Sequence, residues 1–386
     1  MRARRIRNTL GSPVEGGNFY NRDREQARLW DRLESDHVLL LAPRRVGKTS
    51  LLYRLETTAP SHNFLPIYLS VASHETELSF VRALAETLLR HQGIGAKVLA
   101  RAKDLLERVD KLSVAKFSVE LSASSWRELG DDLLDSLRTL DERYLIMIDE
   151  LPIFVLNLLR IHDRERVRMF LNWFREARID RELHRSLRWL VCGSVGLDTV
   201  TQRERLGDTI NDFSIVRLGA FSREHAAAFL DALAHSYAVE LSPETRGHIL
   251  DRVGWLIPYH IQLLFSALRD LDASAPSIAA VERAYAELLD GSRKSYFDTW
   301  YQRLRDELGA EDEGHALALL ELAALDPDGV PLRVVRELAR SRGLEDHPMR
   351  YLLGVLRNDG YLIDEAGRWR FRSSLLRDYW RNQVLA

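Results

Sequence analysis

Eight residues constrain this chain more than any others. Ala42-Pro43-Arg44-Arg45-Val46-Gly47-Lys48-Thr49 follows the short apolar run His37–Leu41 and leads into a helical stretch, Ser50 to Leu55. A continuous apolar run of that length reads as a strand buried on both faces. Strand, Gly-Lys-Thr loop and helix, in that order, form the context of a phosphate-binding loop. Residues Pro43, Arg44, Arg45, Val46, Gly47, Lys48, Thr49 and Ser50 would curl around a β-phosphate with backbone N–H groups turned inward. The helix N-terminus adds partial positive charge. Gly47 permits close approach of the backbone, Lys48 can bridge the β- and γ-phosphates, and the Thr49 hydroxyl can ligate Mg2+. The first glycine usual in such loops is Ala42 here. Alanine is small, and Pro43 holds it extended, so the turn can still form. The competing reading is a chance match in a basic turn.

A second feature narrows the choice. Tyr144 to Ile148 reads as another buried strand, and it ends in Asp149-Glu150. At the C-terminal end of an apolar strand, Asp149 is placed to hold Mg2+, and Glu150 to orient and deprotonate an attacking water. The alternative is an acidic pair at a helix N-terminus, since Pro152 starts a helix there. A third strand, Leu187 to Cys192, ends in Gly193-Ser194. The Ser194 hydroxyl could sense a γ-phosphate, or the dipeptide could simply end the strand.

Further apolar runs at Phe64–Leu69 and, more weakly, Phe213–Leu218 complete a set of five strands. Between them lie helical patterns: Val81, Leu84, Ala85 and Leu88 share one face, as do Val167, Phe170, Leu171 and Phe174. Strands alternating with helices predict an α/β parallel sheet covered on both faces. From about residue 220 the strand signal stops. Ser222 is a candidate N-cap for a run with Ala226, Phe229, Leu230 and Leu233, and Ser242-Pro243-Glu244 opens another helix. Helices at Ala316–Leu325, Pro331–Ser341 and Pro348–Leu356 then precede two short strands, Tyr361–Ile363 and Arg368–Phe371, around Glu365-Ala366-Gly367. Three helices and a hairpin predict a winged helix-turn-helix. The expected organisation is an N-terminal arm (1–18), a P-loop core (19–220), an all-α lid (221–300) and a winged helix domain (301–386). In residues 93–125 a charged helix is followed by Lys116–Leu121, read as an inserted strand.

Composition removes other classes. Hydrophobic residues at 46% and charged residues at 29% fit a globular chain, and a net charge of −2 supplies no global attraction to nucleic acid or anionic membrane. The single cysteine, Cys192, excludes an intramolecular disulfide and a multi-cysteine zinc site. A reducing, cytoplasmic setting fits. No apolar stretch is long enough for a membrane span. The basic start, Met-Arg-Ala-Arg-Arg-Ile-Arg, lacks the apolar segment of a secretory signal and reads as a solvated arm. His260, Trp173 and Trp300 read as packed residues rather than ligands.

Taken together, these motifs resemble the signal-transduction ATPases with numerous domains (STAND), especially the archaeal-type ATPases, relatives of the AAA+ class and of origin-recognition ATPases. The resemblance runs from about Pro13 to the C-terminus. Phe19-Tyr20-Asn21-Arg22-Asp23-Arg24-Glu25 is similar to the family's leading motif, with Asn21 where a glycine is usual. The loop at 42–49, the Asp-Glu strand end and Gly193-Ser194 follow in family order. Gly254-Trp255-Leu256-Ile257-Pro258 is similar to the lid Gly and Pro that close over the nucleotide base, with one extra residue between them. Phe371 to Trp380 is similar to the ending after the wing. The resemblance implies a slow ATPase that uses Mg2+ and acts as a switch: ADP would hold lid and winged helix against the core, and ATP would rearrange them. Arg22 and Pro258 would join the nucleotide site, and a protein partner or self-association is expected. A neighbouring subunit supplies a catalytic arginine in many relatives. Arg44 and Arg45 are either substitutes for it or solvated loop charges.

The alternative function is a DNA-binding winged-helix protein in which nucleotide is structural. Local charge opposes it. From residue 301 to 346 acidic residues outnumber basic ones, and the helix meant to enter the groove begins Glu345-Asp346. Arg368, Arg370 and Arg372 do share one face of a wing strand. Their expected destination is DNA phosphates, an acidic surface of the core, or water.

Overall fold

The computed structural model describes residues 5–114, 123–138, 142–193, 196–271, 274–290 and 295–385. The expected strand at Lys116–Leu121, residue Ser194 and the first four residues of the arm lie outside them. The chain divides into two compact units. One comprises Arg22–Ala42 and Leu51–Leu218, the other Met1–Asn21, Pro43–Ser50 and Gly219–Ala386.

The first unit is an α/β sheet domain. In chain order its elements are α1 (Asp23–Ser35), β1 (Val38–Leu41), α2 (Lys48–Thr58), β2 (Leu65–Ser70), α3 (Glu77–Arg90), α4 (Ala96–Val114), α5 (Ala123–Arg138), β3 (Tyr144–Asp149), α6 (Leu151–Ile161), α7 (Arg164–Ile179), α8 (Leu183–Ser186), β4 (Leu187–Gly193), α9 (Leu197–Arg203) and β5 (Ser214–Arg217). The five strands run in the order β2-β3-β4-β1-β5, and every pair is parallel. Parallel pairing puts all five C-terminal ends on one edge of the sheet, where open α/β sheets hold ligands. Register fixes who meets whom there: Leu41 lies opposite Gly193 and Arg217, and Ser70 opposite Asp149.

All of β1, β3 and β4 is buried, which is why these segments read as unbroken apolar runs. On one face Phe80, Phe154, Phe170 and Trp173 pack ring to ring, with centroids 5.0–6.4 Å apart. The ends of helices are fixed by side chains. Thr76 and Ser79 form a reciprocal capping box on α3, and Asp163 caps α7. The one carboxylate buried in this start of α3, Glu77, is held by Nε and Nη2 of Arg166 at 2.8 and 3.1 Å.

The second unit is helical, then winged. Helices α10 (Arg223–Ser236), α11 (Pro243–Val253), α12 (Pro258–Arg269) and α13 (Ile278–Leu289) form the lid. Ser222 and Ser242 cap α10 and α11 through their hydroxyls, as their sequence positions suggest. The long α14 (Ser295–Leu325) leads to β6 (Val330–Pro331), α15 (Leu332–Ser341), α16 (Asp346–Asn358), β7 (Leu362–Glu365), β8 (Arg368–Phe371) and α17 (Ser374–Leu385). The small sheet runs β6-β8-β7, antiparallel, and completes a winged helix-turn-helix. Trp300 and His260 are buried here, and Trp173 in the sheet domain, as expected of packed residues.

The N-terminal residues differ from the expected solvated arm. Ile6 is buried, and its N–H donates to the Ser236 hydroxyl at 2.8 Å. The Asn8 N–H donates to the Tyr237 hydroxyl at 2.9 Å, and the Asn8 amide to the Gln262 carbonyl at 3.2 Å. The segment is a strap laid over α10 and α12. Its apolar anchor is a single residue, which a hydropathy pattern does not register. Among the described residues no helix is long and apolar enough to cross a membrane.

Candidate functional site

The loop between β1 and α2 carries two left-handed residues, Arg45 at φ 65° and Gly47 at φ 97°. Such residues turn successive N–H groups to one side of the backbone, forming an anion-binding concavity. At Gly47 the dihedral is the requirement, because nothing lies within 4 Å of where a Cβ would sit. The mostly buried Lys48 starts α2, and its Nζ donates to the Pro43 carbonyl at 3.5 Å, folding back over the loop. Val46 is buried in support, while Arg44 and Thr49 are half-buried.

Residues Pro43–Ser50 share their compact unit with the strap, the lid and the winged helix. The Ser50 hydroxyl accepts the Val14 N–H at 3.0 Å. The Arg45 guanidinium lies 4.0 Å from the centre of the Tyr259 ring in α12. Gly360, after α16, has φ 94°, and a Cβ there would come 3.1 Å from Pro43 and 2.5 Å from the Trp255 ring. Arg45 is therefore engaged with the lid, which departs from the reading of it as a solvated loop charge.

The acid pair sits where the sequence implies. Asp149 is buried at the end of β3, and each carboxylate oxygen accepts a hydrogen bond from a neutral donor. The Tyr68 hydroxyl of β2 donates to Oδ2 at 3.1 Å, and the Cys192 thiol of β4 donates to Oδ1 at 3.2 Å. Burial, and then the neighbouring Asp149 charge, raise the Tyr68 phenol well above its ordinary pKa. Glu150 adopts φ 64° and begins α6, with Pro152 in its first turn, yet its side chain caps no helix N–H. Its position at the N-terminus of α6 is the one that the competing reading, an acid at a helix start, also expects. Gly193 lies hard against this turn: a Cβ there would fall 2.4 Å from Pro152 Cδ and 3.4 Å from Glu150 Oε2. Tyr68 and Cys192 escaped the sequence reading. The only available signal was a hydroxyl and a thiol inside otherwise apolar strands.

Three other candidates have definite places. Arg22 sits left-handed at the N-terminus of α1, and its guanidinium donates to Glu25 at 2.7 Å. Its pKa is lowered by burial, opposed by that glutamate. Pro258 opens α12, and Gly254, with φ 69°, closes α11 against Ser374, where a Cβ would come 2.7 Å from Oγ. The two motifs flagged at 254–258 and 371–380 thus meet. The Ser373 hydroxyl donates to the Val253 carbonyl at 3.3 Å and lies 3.3 Å from His260 Nδ1. Burial holds His260 down at about 3. Ser194 lies outside the described residues.

The wing arginines make contacts within their own domain. Arg368 donates to the Asp328 carbonyl at 3.0 Å and pairs with Asp326 at 3.5 Å. Arg370 grips Glu365 with two bonds of 2.6 and 2.9 Å, and Arg372 donates to the Arg357 carbonyl at 3.2 Å. The stripe thus pairs with acids and carbonyls of its own domain while Arg368 and Arg370 stay partly exposed.

No family model and no curated protein matches this chain. Solved structures do. A Walker-type ATPase of Pyrococcus abyssi is similar over 97% of this chain and 99% of its own, with a TM-score of 0.64 at 15% identity. The ORC2 protein of Aeropyrum pernix, solved as ADPNP–ADP complexes, is similar over 95% of this chain and 93% of its own, with a TM-score of 0.54 at 14% identity. At such identities the likeness speaks to fold. The fold is that of the AAA+-like P-loop proteins: a parallel α/β core, an all-α lid and a winged helix.

Proposed function

We propose that this chain is a Mg2+-dependent ATPase working as a nucleotide-controlled switch of the STAND and AAA+ type. One observation carries the reading. The left-handed loop follows β1, and the acid pair ends β3, at the shared C-terminal edge of one parallel sheet. The loop 43–50 would cradle the phosphates, with Lys48 bridging the β- and γ-groups. Glu150 would orient the attacking water and take its proton. Ser194 is assigned to the γ-phosphate, Arg22 to nucleotide binding, and Pro258 to closure over the nucleotide's base. ADPNP and ADP in the similar Aeropyrum pernix structure favour adenine.

A hard carboxylate and a hydroxyl, Asp149 and Thr49, fit a Mg2+ ion that keeps waters and shares the nucleotide's phosphates. When bound, the ion would neutralise charge developing on those phosphates. The switch is supported by the company the loop keeps. Arg45 stacks on lid Tyr259, and Pro43 abuts Gly360 of the winged domain. Nucleotides that differ at the γ-phosphate would bind the loop's alternative arrangements unequally and shift the lid and wing populations. A partner protein or a second copy of this chain would read that shift. The domains are read as core 19–220, lid 221–300 and winged helix 301–386.

Steady-state ATP turnover and nucleotide binding test the assignment. Lys48→Ala is expected to lose nucleotide binding. Glu150→Gln is expected to bind ATP but turn it over about 10²–10⁴-fold more slowly. Wild-type behaviour of both variants would end the proposal.

A further inference from the structure

We propose that Tyr68 and Cys192 are positioning residues that aim the Asp149 carboxylate at its metal ion, one from each strand flanking β3. The inference deepens the reading of Asp149 as a Mg2+ ligand and rests on it. Asp149 is the last residue of β3, one position beyond the last residue paired with β4. Its carboxylate is nonetheless fixed from both sides. Tyr68, two residues before the position paired with Asp149, reaches Oδ2 from β2 at 3.1 Å. Cys192, one residue beyond the last paired position of β4, reaches Oδ1 at 3.2 Å. A donor on each oxygen, one from either flanking strand, fixes the plane of the group.

The chemistry of the donors matters. An arginine or lysine here would orient the carboxylate but cancel its charge. A phenol and a thiol are neutral, so the carboxylate keeps its full attraction for a cation. Tyr68 is itself braced, with its ring edge-on to Tyr53 at 5.3 Å between centroids and 68° between planes. Tyr53 lies on α2, the helix that begins with Lys48 and Thr49. A continuous set of contacts thus runs from that helix through two tyrosines to the carboxylate. Cys192 is fully buried, so its hydrogen bond to Asp149 forms away from solvent. Groups that orient a metal ligand from behind typically affect metal affinity by 10- to 100-fold.

The test uses Mn2+ as the probe, counted by electron paramagnetic resonance on the full chain with ADP bound. Fluorescent ADP binding in EDTA serves as the metal-free control. Tyr68→Phe and Cys192→Ala are each expected to raise the Mn2+ dissociation constant about 10-fold and to leave ADP affinity in EDTA unchanged. Cys192→Ser, which keeps a donor, is expected to stay near wild type. A purely structural role would weaken both measurements together, or would not separate Ser from Ala. If Cys192→Ala does not fold, Cys192→Val replaces it, and Tyr68→Phe decides alone if both fail. Asp149→Asn separates the two levels. Loss of Mn2+ in Asp149→Asn alone, with the Tyr68 and Cys192 variants binding normally, overturns the positioning role. Normal Mn2+ binding by Asp149→Asn overturns the ligand assignment beneath it.

Discussion

Gly193→Ala is the substitution whose effect follows most directly from the structure. An added Cβ would lie 2.4 Å from Pro152 Cδ and 2.7 Å from Cγ, both well inside the 3.4 Å at which ordinary contact begins. Neither side yields easily. Gly193 is held in the buried strand β4, and Pro152 is a rigid ring in the first turn of α6. Overpacking of this kind costs about 1–3 kcal/mol. For a domain this size each kcal/mol lowers the melting temperature by about 2–4 °C, so the loss should be roughly 2–12 °C. The displaced ring carries Glu150 with it, whose Oε2 lies 3.4 Å from the same Cβ position. A shift of 1 Å in a catalytic group can cost about 10²-fold in rate, and ATP turnover should fall by that order. Calorimetry and turnover on Gly193→Ala, Pro152→Ala and the double variant decide the matter. Removing the ring should restore part of both losses, because the two sites share one clash. Gly193→Ala melting and turning over as wild type, or a strictly additive double variant, would refute the steric account.

Three further outcomes are expected. Tyr259→Leu removes a cation–π contact worth about 0.5–2 kcal/mol, so stopped-flow release of a fluorescent ADP should quicken by roughly 2- to 30-fold. Ile6→Ala should cost about 2–5 kcal/mol in chemical denaturation, with the transition reported from Tyr237 and its neighbours rather than from the sheet domain. His37 and His260 are each held at about 3, chiefly by burial, against an unfolded value near 6.5. Between those values the unfolded chain binds protons that the folded one refuses, so stability is full above about pH 6.5 and falls on acidification. Each imidazole should remove about 1 kcal/mol per pH unit, and denaturation of His260→Gln at pH 7.5 and 5.5 should show a shallower loss than wild type.

The parallel sheet was legible because strands buried on both faces cannot alternate polar and apolar residues; β1, β3 and β4 announce themselves as runs. The loop and the acid pair were legible for a different reason, since spacing along the chain alone defines them. What stayed hidden depends on partners remote in sequence. Tyr68 and Cys192 meet Asp149 only through the register of three strands, and nothing local in either residue's neighbourhood marks it. The strap is held by a hydroxyl and a carbonyl some 230 and 254 residues away. The helix α14 shows the opposite error. Gly309 and Gly314 weaken its local propensity by about 1 kcal/mol each, and the sequence reads as two pieces. Packing overrides the glycines: Phe297 stacks on Tyr379 at 4.4 Å and Tyr301 on Trp380 at 4.6 Å, so one end of the helix is fixed to α17.

The same contrast bears on the proposed control of distant elements by the loop 43–50. A loop that served only to hold phosphates would need nothing beyond its own backbone turn and the helix behind it. Here three side-chain-level attachments leave it: Ser50 to the strap, Arg45 to Tyr259 and Pro43 to the Gly360 turn. Each is short and sterically or electrostatically specific, and close-packed contacts of this kind have discrete arrangements rather than a continuous range. The Gly360 turn admits no Cβ, and Trp255 beside it also receives Arg372 at 5.3 Å. In the proposed switch, a movement of Pro43 would reach a tryptophan that lid and wing share. Coupling of that form requires only that ATP and ADP favour different loop positions, and a difference of about 1.4 kcal/mol between them would change the ratio of the two arrangements tenfold.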